Sequence, residues 1–126
     1  LVRELNLPLN PGFNRKRFDA LLKDMIPRGY RCLGAFDGEA LIAVCGFTIT
    51  SRFWCGRQLD LDNFIVTDAY RGKKIGERML KWFDRLAKRE ACDVIVLDSY
   101  AMSHAAHRFY FRAGFIIKGY HFYKEV

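Results

Sequence analysis

The chain has 126 residues, 51% of them apolar and 28% charged, with a formal net charge of +7. That length predicts one domain with a real core, and the mixture excludes a disordered or low-complexity polymer. No apolar run approaches the ~20 residues of a membrane-spanning helix, and the start lacks a basic segment followed by a signal-type apolar stretch.

In chain order, Phe18, Leu21, Leu22, Met25 and Ile26 recur at spacings of three and four. This predicts a short amphipathic helix ended by Pro27 and Gly29. Arg31 to Phe36 and Ala40 to Thr50 read as strands joined by Asp37-Gly38, a strong hairpin signal. Gln58 to Val66 is the next strand. Ile75, Met79, Trp82, Phe83 and Leu86 then mark one face of a helix to about Lys88, with Glu77–Lys81 and Asp84–Lys88 spaced as ion pairs outside it. Asp93 to Leu97 reads as a buried strand. Ser103 to Arg112 is a short helix stopped by Gly114, and Phe115 to Val126 is expected to make two short strands around Lys118-Gly119.

The 21 basic residues are spread along the chain, with clusters only at Arg15-Lys16-Arg17, Arg71 to Lys74 and Lys88-Arg89. No zinc-finger spacing, RNA-recognition aromatic motif or basic-region heptad accompanies them, so nucleic-acid binding is the minor reading. Cys32, Cys45, Cys55 and Cys92 form no Cys-x-x-Cys pair. Three of them lie in apolar strand-like or helix-end contexts, which predicts reduced, buried thiols and a cytoplasmic protein. No His/Cys cluster has metal-ligand spacing, so no metal is expected.

Residues 59 to 76 carry the sharpest local signal. An extended apolar run from Leu59 to Val66 passes through a polar turn into Arg71-Gly72-Lys73-Lys74-Ile75-Gly76, where the long helix opens. Such a turn offers an anion unpaired backbone N–H groups and the positive end of the helix dipole. Gly72 and Gly76 let the backbone come close, and Arg71, Lys73 and Lys74 add full charges. This is a pyrophosphate cradle. Within the run, Asp60 and Asp62 alternate onto one face, and carboxylates placed there are expected to face a cleft.

A second segment, Ala106-His107-Arg108-Phe109-Tyr110-Phe111-Arg112-Ala113-Gly114-Phe115, lies downstream at a matching separation. Together the two resemble the GNAT superfamily of N-acetyltransferases over roughly residues 30 to 126. The family's cofactor turn reads Arg/Gln-x-x-Gly-x-Gly/Ala, matched by Arg71, Ile75 and Gly76, with Lys74 where the first glycine is usual. Its later Asn-x-x-Ala-x-x-hydrophobic-Tyr, followed by Gly-Phe, is matched by Ala106, Phe109, Tyr110, Gly114 and Phe115, with Ser103 in place of the asparagine.

The resemblance implies one α/β domain over residues 1–126, built on a central mixed, mostly antiparallel sheet splayed at Gln58–Val66 and flanked by helices. Because Leu1 rather than methionine opens the chain, the family's first strand is expected to be partly missing. It also implies acetyl-coenzyme A as donor, a small-molecule or peptide primary amine as acceptor, and direct transfer; a homodimer stays open. Cofactor contacts would fall on Phe64, Ile65, Val66, Arg71, Gly72, Lys73, Lys74, Ile75, Gly76 and Ser103. Backbone groups of Phe64 to Val66 would pair with the pantetheine and donate to the oxyanion.

Tyr110 matches the tyrosine that many members place beside the cofactor sulfur, where a neutral phenol can protonate the departing thiolate. The alternative is a packing tyrosine. Asp60 resembles the strand position some members use for a general base through water, and Asp62 is read as attracting a cationic substrate. Both could instead simply hold that cation or pair with an arginine. The reading from a different class is a non-catalytic module that binds coenzyme A or acyl-coenzyme A without transfer.

Overall fold

The computed structural model describes residues 14–126, and the expectation about a missing first strand lies outside them. Two compact units make up the chain, one ending at Val96 and one running from Leu97 to Val126.

In the first unit, helix α1 spans Arg15–Met25. The Asn14 side chain caps it by accepting the Arg17 N–H at 2.9 Å, which satisfies one of the donors that a helix start leaves open. A short helical turn, Ile26–Arg28, takes in Pro27, and Gly29 ends it at φ 92°. Strand β1 (Arg31–Asp37) and strand β2 (Ala40–Arg52) form an antiparallel hairpin in which Asp37 pairs with Ala40. Gly38 supplies the positive φ of 58° that so tight a turn requires.

Strand β3 (Gly56–Val66) runs antiparallel to β2, and helix α2 (Ile75–Arg89) leads to strand β4 (Val94–Leu97). The sheet order is β1-β2-β3-β4. The first two pairings are antiparallel, and β4 returns through the α2 crossover to lie beside β3, giving a mixed sheet. Asp93 fixes where β4 starts: its N–H reaches the Arg57 carbonyl at 2.7 Å, and its carboxylate accepts the Arg57 N–H at 2.8 Å.

The core lies where α2 covers one face of the sheet. Phe83 is fully buried between Phe47 and Trp82, with ring centroids 5.4 and 5.3 Å away in edge-to-face contacts. Leu59 and Leu61 of β3, Ile42 to Cys45 of β2, and Met79, Leu80, Leu86 and Ala87 of α2 complete it. Burial of a side chain the size of Phe83 contributes roughly 2–3 kcal/mol. Of the two ion pairs expected on the outer face of α2, Glu77–Lys81 forms at 3.5 Å, exposed and worth a few tenths of a kcal/mol, and Asp84–Lys88 does not form.

The second unit contains helix α3 (His104–Arg112), ended at Gly114 with φ 94°. The two strands expected between Phe115 and Val126 are not formed, and that segment has no regular secondary structure. Apolar and aromatic residues favour strands only when a partner completes the ladder and covers a face. Here Tyr120 is 85% and Phe122 93% exposed. The cysteines depart in part as well. All four are free thiols, but only Cys45 is buried, and Cys32 is exposed on the edge strand β1.

Candidate functional site

The central strand is regular up to Asp62 and then breaks. Gly46 of β2 pairs with Asp62, whereas Val44 pairs with Ile65, so the single residue Cys45 faces both Asn63 and Phe64. This is a β-bulge, and Asn63 takes up the extra residue at φ 50°. A non-glycine residue seldom adopts that conformation, and asparagine tolerates it better than most. The bulge disrupts the ladder immediately before Phe64, Ile65 and Val66, the residues expected to offer backbone groups to the cofactor arm. All three side chains are half-buried.

Asp60 and Asp62 share one sheet face, opposite Thr48 and Gly46 respectively. Two residues along a strand separate their Cα atoms by roughly 6–7 Å. Asp60 is half-buried and Asp62 exposed, so the local environment already distinguishes the two carboxylates.

After β3, the Thr67 N–H continues the ladder onto the Ile42 carbonyl at 2.9 Å, and a short helical turn, Asp68–Tyr70, leads into the cradle. Arg71 is held from both sides. Its Nε donates to the Val66 carbonyl at 3.3 Å, and its guanidinium lies 3.1 Å from the Asp68 carboxylate. Gly72 follows at φ 75°, with open space where a Cβ would stand. The Lys73 ammonium lies over the Tyr70 ring, 5.1 Å from its centroid. Lys74 is the N-cap of α2 in the left-handed conformation, φ 62° and ψ 19°, and no side chain caps the helix. The first helical bond runs from the Arg78 N–H to the Lys74 carbonyl, so the N–H groups of Ile75, Gly76 and Glu77 have no partner one turn earlier. Arg71, Gly72, Lys73 and Lys74 are all exposed. The arrangement is an uncapped helix start ringed by cations, chemically suited to a di-anionic group.

The first unit therefore gathers Asp60, Asp62, Phe64 to Val66 and Arg71 to Gly76, while Ser103 and Tyr110 belong to the second. Ser103 is the N-cap of α3, yet its side chain makes no capping hydrogen bond. The half-buried Tyr110 ring packs against Phe109 at 5.3 Å and Phe115 at 5.7 Å. His107 is bound locally, its Nε2 2.8 Å from the Tyr100 carbonyl oxygen. Among the described residues, no group of three His, Cys, Asp or Glu side chains could hold a metal ion, and no helix is long and apolar enough to cross a membrane.

Sequence reasoning missed two features. One is the bulge, whose only signal is an asparagine inside a strand pattern, a residue poor in strands and tolerant of left-handed backbone. The other is a hydrogen bond from the Tyr70 hydroxyl to the Asp37 carboxylate, which ties the cradle's entry to the β1–β2 hairpin.

The family model described as Acetyltransferase (GNAT) family matches residues 1–115. Among curated proteins, the aminoalkylphosphonate N-acetyltransferase of Salmonella typhimurium (strain LT2) is 31% identical over 62 residues. That match spans 49% of this chain and only 38% of the relative. A Pyrococcus furiosus chain described as an acetyl transferase superposes with a TM-score of 0.81 at 18% identity, covering 99% of this chain and 91% of that one. AAC(6')-Iy, solved with the bisubstrate analog CoA-S-monomethyl-acetylneamine, gives a TM-score of 0.76 at 17% identity, covering 98% and 88%. At such identities the structural matches establish a shared fold.

Proposed function

The chain belongs to the GNAT acetyltransferase family, and from that premise we propose that it moves an acetyl group from acetyl-coenzyme A directly to a primary amine. Both compact units, residues 1–126, would serve as one N-acetyltransferase domain. The observation that carries this reading is the run from bulge to helix start. A strand bulged at Asn63 runs on through Phe64 to Val66 and leads, past the turn at Asp68–Tyr70, into an uncapped helix surrounded by Arg71, Lys73 and Lys74. A coenzyme A molecule has a matching order of parts: an amide-bearing arm that can pair with an exposed strand, then a pyrophosphate that a helix start can hold.

On this reading, backbone groups of Phe64 to Val66 orient the pantetheine and the thioester, and an N–H among them donates to the oxyanion as the amine attacks. Arg71, Gly72, Lys73, Lys74, Ile75 and Gly76 hold the phosphates, with Ser103 contributing a hydroxyl to the arm. Tyr110 protonates the departing thiolate. Asp60 takes the amine proton through water, and Asp62 attracts the cation. The acceptor class has support from the curated relative, whose name makes it an N-acetyltransferase of an aminoalkyl compound.

Acetyl-coenzyme A should raise the melting temperature, as any ligand preferring the native state must. Gly76→Asp should abolish that rise by setting a negative charge against the phosphates. A screen of polyamines, aminoglycosides, amino acids and peptide N-termini, read by release of free thiol, then tests the transfer. Binding without turnover on any amine would leave the non-catalytic coenzyme-A-binding module; no binding would remove both readings.

A further inference from the structure

Behind the bulge lies a group of side chains that the mechanism above does not use. Tyr30, just after the Gly29 turn, folds its half-buried ring across the sheet face shared by Cys32, Gly46 and Asp62. Its hydroxyl occupies the space a Cβ on Gly46 would fill, with the ring carbons close behind. Gly46 has no positive φ to explain it. The glycine is there because the phenol is. Gly46 pairs with Cys32 on one side and Asp62 on the other, which sets the phenol beside Asn63, and the Asn63 and Cys32 side chains both act on its titration. Asn63 is the residue held at φ 50° in the bulge.

We propose that Tyr30 is a positioning residue for the acyl-coenzyme A arm: seated over Gly46, its hydroxyl engages the Asn63 side chain and so fixes the left-handed turn that shifts Phe64 to Val66 by one residue against β2 and sets how their backbone faces. The inference rests on the functional reading above. The physical logic is that a left-handed non-glycine residue inside a strand is strained and persists only where surrounding contacts hold it. Within β3 the backbone would gain by closing the bulge. The Tyr30 hydroxyl opposes that closure from outside the strand. Burial above all, then the Cys32 thiol and the Asp62 carboxylate, push the phenol's pKa upward against a smaller lowering by Asn63, so the hydroxyl keeps its hydrogen at working pH.

The arm and the phosphates contact different segments, which gives the test its readout. Titration calorimetry on the wild type, Tyr30→Phe and Gly46→Ala would use two probes: acetyl-coenzyme A, and 3′-phosphoadenosine 5′-diphosphate, which has the phosphates but no pantetheine. Tyr30→Phe should weaken acetyl-coenzyme A about three- to tenfold, the scale of one net hydrogen bond, with the nucleotide unaffected. Gly46→Ala, whose methyl would displace the phenol, should do the same. Equal loss for both probes, or no loss for either, overturns the proposal while leaving the functional reading intact. A wild type that binds neither probe overturns both. Asn63→Gly tests whether the loss runs through the bulge. Glycine reaches the bulge conformation without help, so adding Tyr30→Phe to Asn63→Gly should cost no further acetyl-coenzyme A affinity. Additive losses would overturn the proposal.

Discussion

The Tyr70 hydroxyl donates to the carboxylate of Asp37, joining the last residue before the cradle to the turn end of β1. The two lie 33 positions apart in sequence, so the bond fixes the entry to Arg71–Gly76 relative to the sheet rather than leaving it to the connecting turn alone. Tyr70→Phe removes the bond but keeps the ring beneath the Lys73 ammonium. We expect little change in melting temperature and faster amide hydrogen exchange at Arg71 to Lys74, because the turn loses its tether. Exchange rates identical to wild type would show that the tether has no hold on the cradle.

Cys45, Tyr30 and Tyr70 contribute to the response to alkali. Burial, with the Asp62 carboxylate adding to it, pushes the Cys45 thiol up to about 12 from an ordinary 9.0. Tyr30 is raised chiefly by burial, and Tyr70 by its bond to Asp37. In each case the folded pKa exceeds the unfolded one. The stability these groups contribute is therefore fully present below the unfolded value and is lost as pH rises toward the folded one. For Cys45 the window runs from about pH 9 to 12, with a slope of up to ~1.4 kcal/mol per pH unit. Tyr30 and Tyr70 add to it above pH 10. Urea unfolding across this range should find Cys45→Ala less stable at neutral pH but with a flatter decline between pH 9 and 10. Equal slopes would reject the assignment. Thiol titration of the native protein at pH 8 should modify Cys32 before Cys45, given their exposed and buried positions.

Lys74 stands where the family usually has glycine and is nonetheless held at φ 62°. The left-handed conformation costs a non-glycine residue about 1–2 kcal/mol, while glycine brings an entropic cost of about 0.5–1 kcal/mol. The difference favours Lys74→Gly, which should raise stability by about 0.5–1 kcal/mol. Lys74→Val, stiff at its branched Cβ, should lower it by more than that gain. A Lys74→Gly variant that melts below wild type would mean the lysine side chain has a structural role that outweighs its backbone strain.

The first three strands, the hairpin at Asp37-Gly38 and the long helix were legible because each rests on local signals: apolar runs, a turn dipeptide, a period of 3.6 on α2. The exposed, cation-rich turn into α2 was legible for the same reason, a short contiguous motif at a helix start. The bulge was not. It depends on Tyr30, Gly46 and Asn63 meeting from three separate segments, and no spacing in the chain announces that. The Tyr70–Asp37 bond is equally non-local. The region after Phe115 errs in the other direction. Its residues favour strands, but preference alone supplies no partner, and the segment from Phe115 to Val126 stays without regular structure. The shared face of Asp60 and Asp62 was read from alternation in an apolar run, and their places opposite Thr48 and Gly46 agree with it.

Tyr110 packs through its ring against Phe109 and Phe115, contacts that Tyr110→Phe conserves. Fold and cofactor binding should survive the change. If the phenol protonates the departing thiolate, turnover should fall by about 10²- to 10⁴-fold. The loss should be smaller with an acyl donor whose thiol has a lower pKa, since a better leaving group needs less protonation. Equal turnover in wild type and variant would leave Tyr110 as a packing residue.

The two strand carboxylates differ in a way kinetics can read. Asp60 is half-buried opposite Thr48, and Asp62 is exposed opposite Gly46. A protonated amine must lose its proton before attack. A carboxylate set into the surface can accept that proton through water, whereas an exposed one attracts the cation over a longer range and is screened by salt. Asp60→Asn should therefore lower the turnover number by more than it raises the Michaelis constant, and the loss should shrink at high pH as free amine accumulates. Asp62→Asn should raise the Michaelis constant with saturated turnover kept, and added salt should narrow its difference from wild type. If both variants change only the Michaelis constant, the pair serves attraction alone. A pH–rate profile whose acidic limb is unchanged in Asp60→Asn would reject the base role.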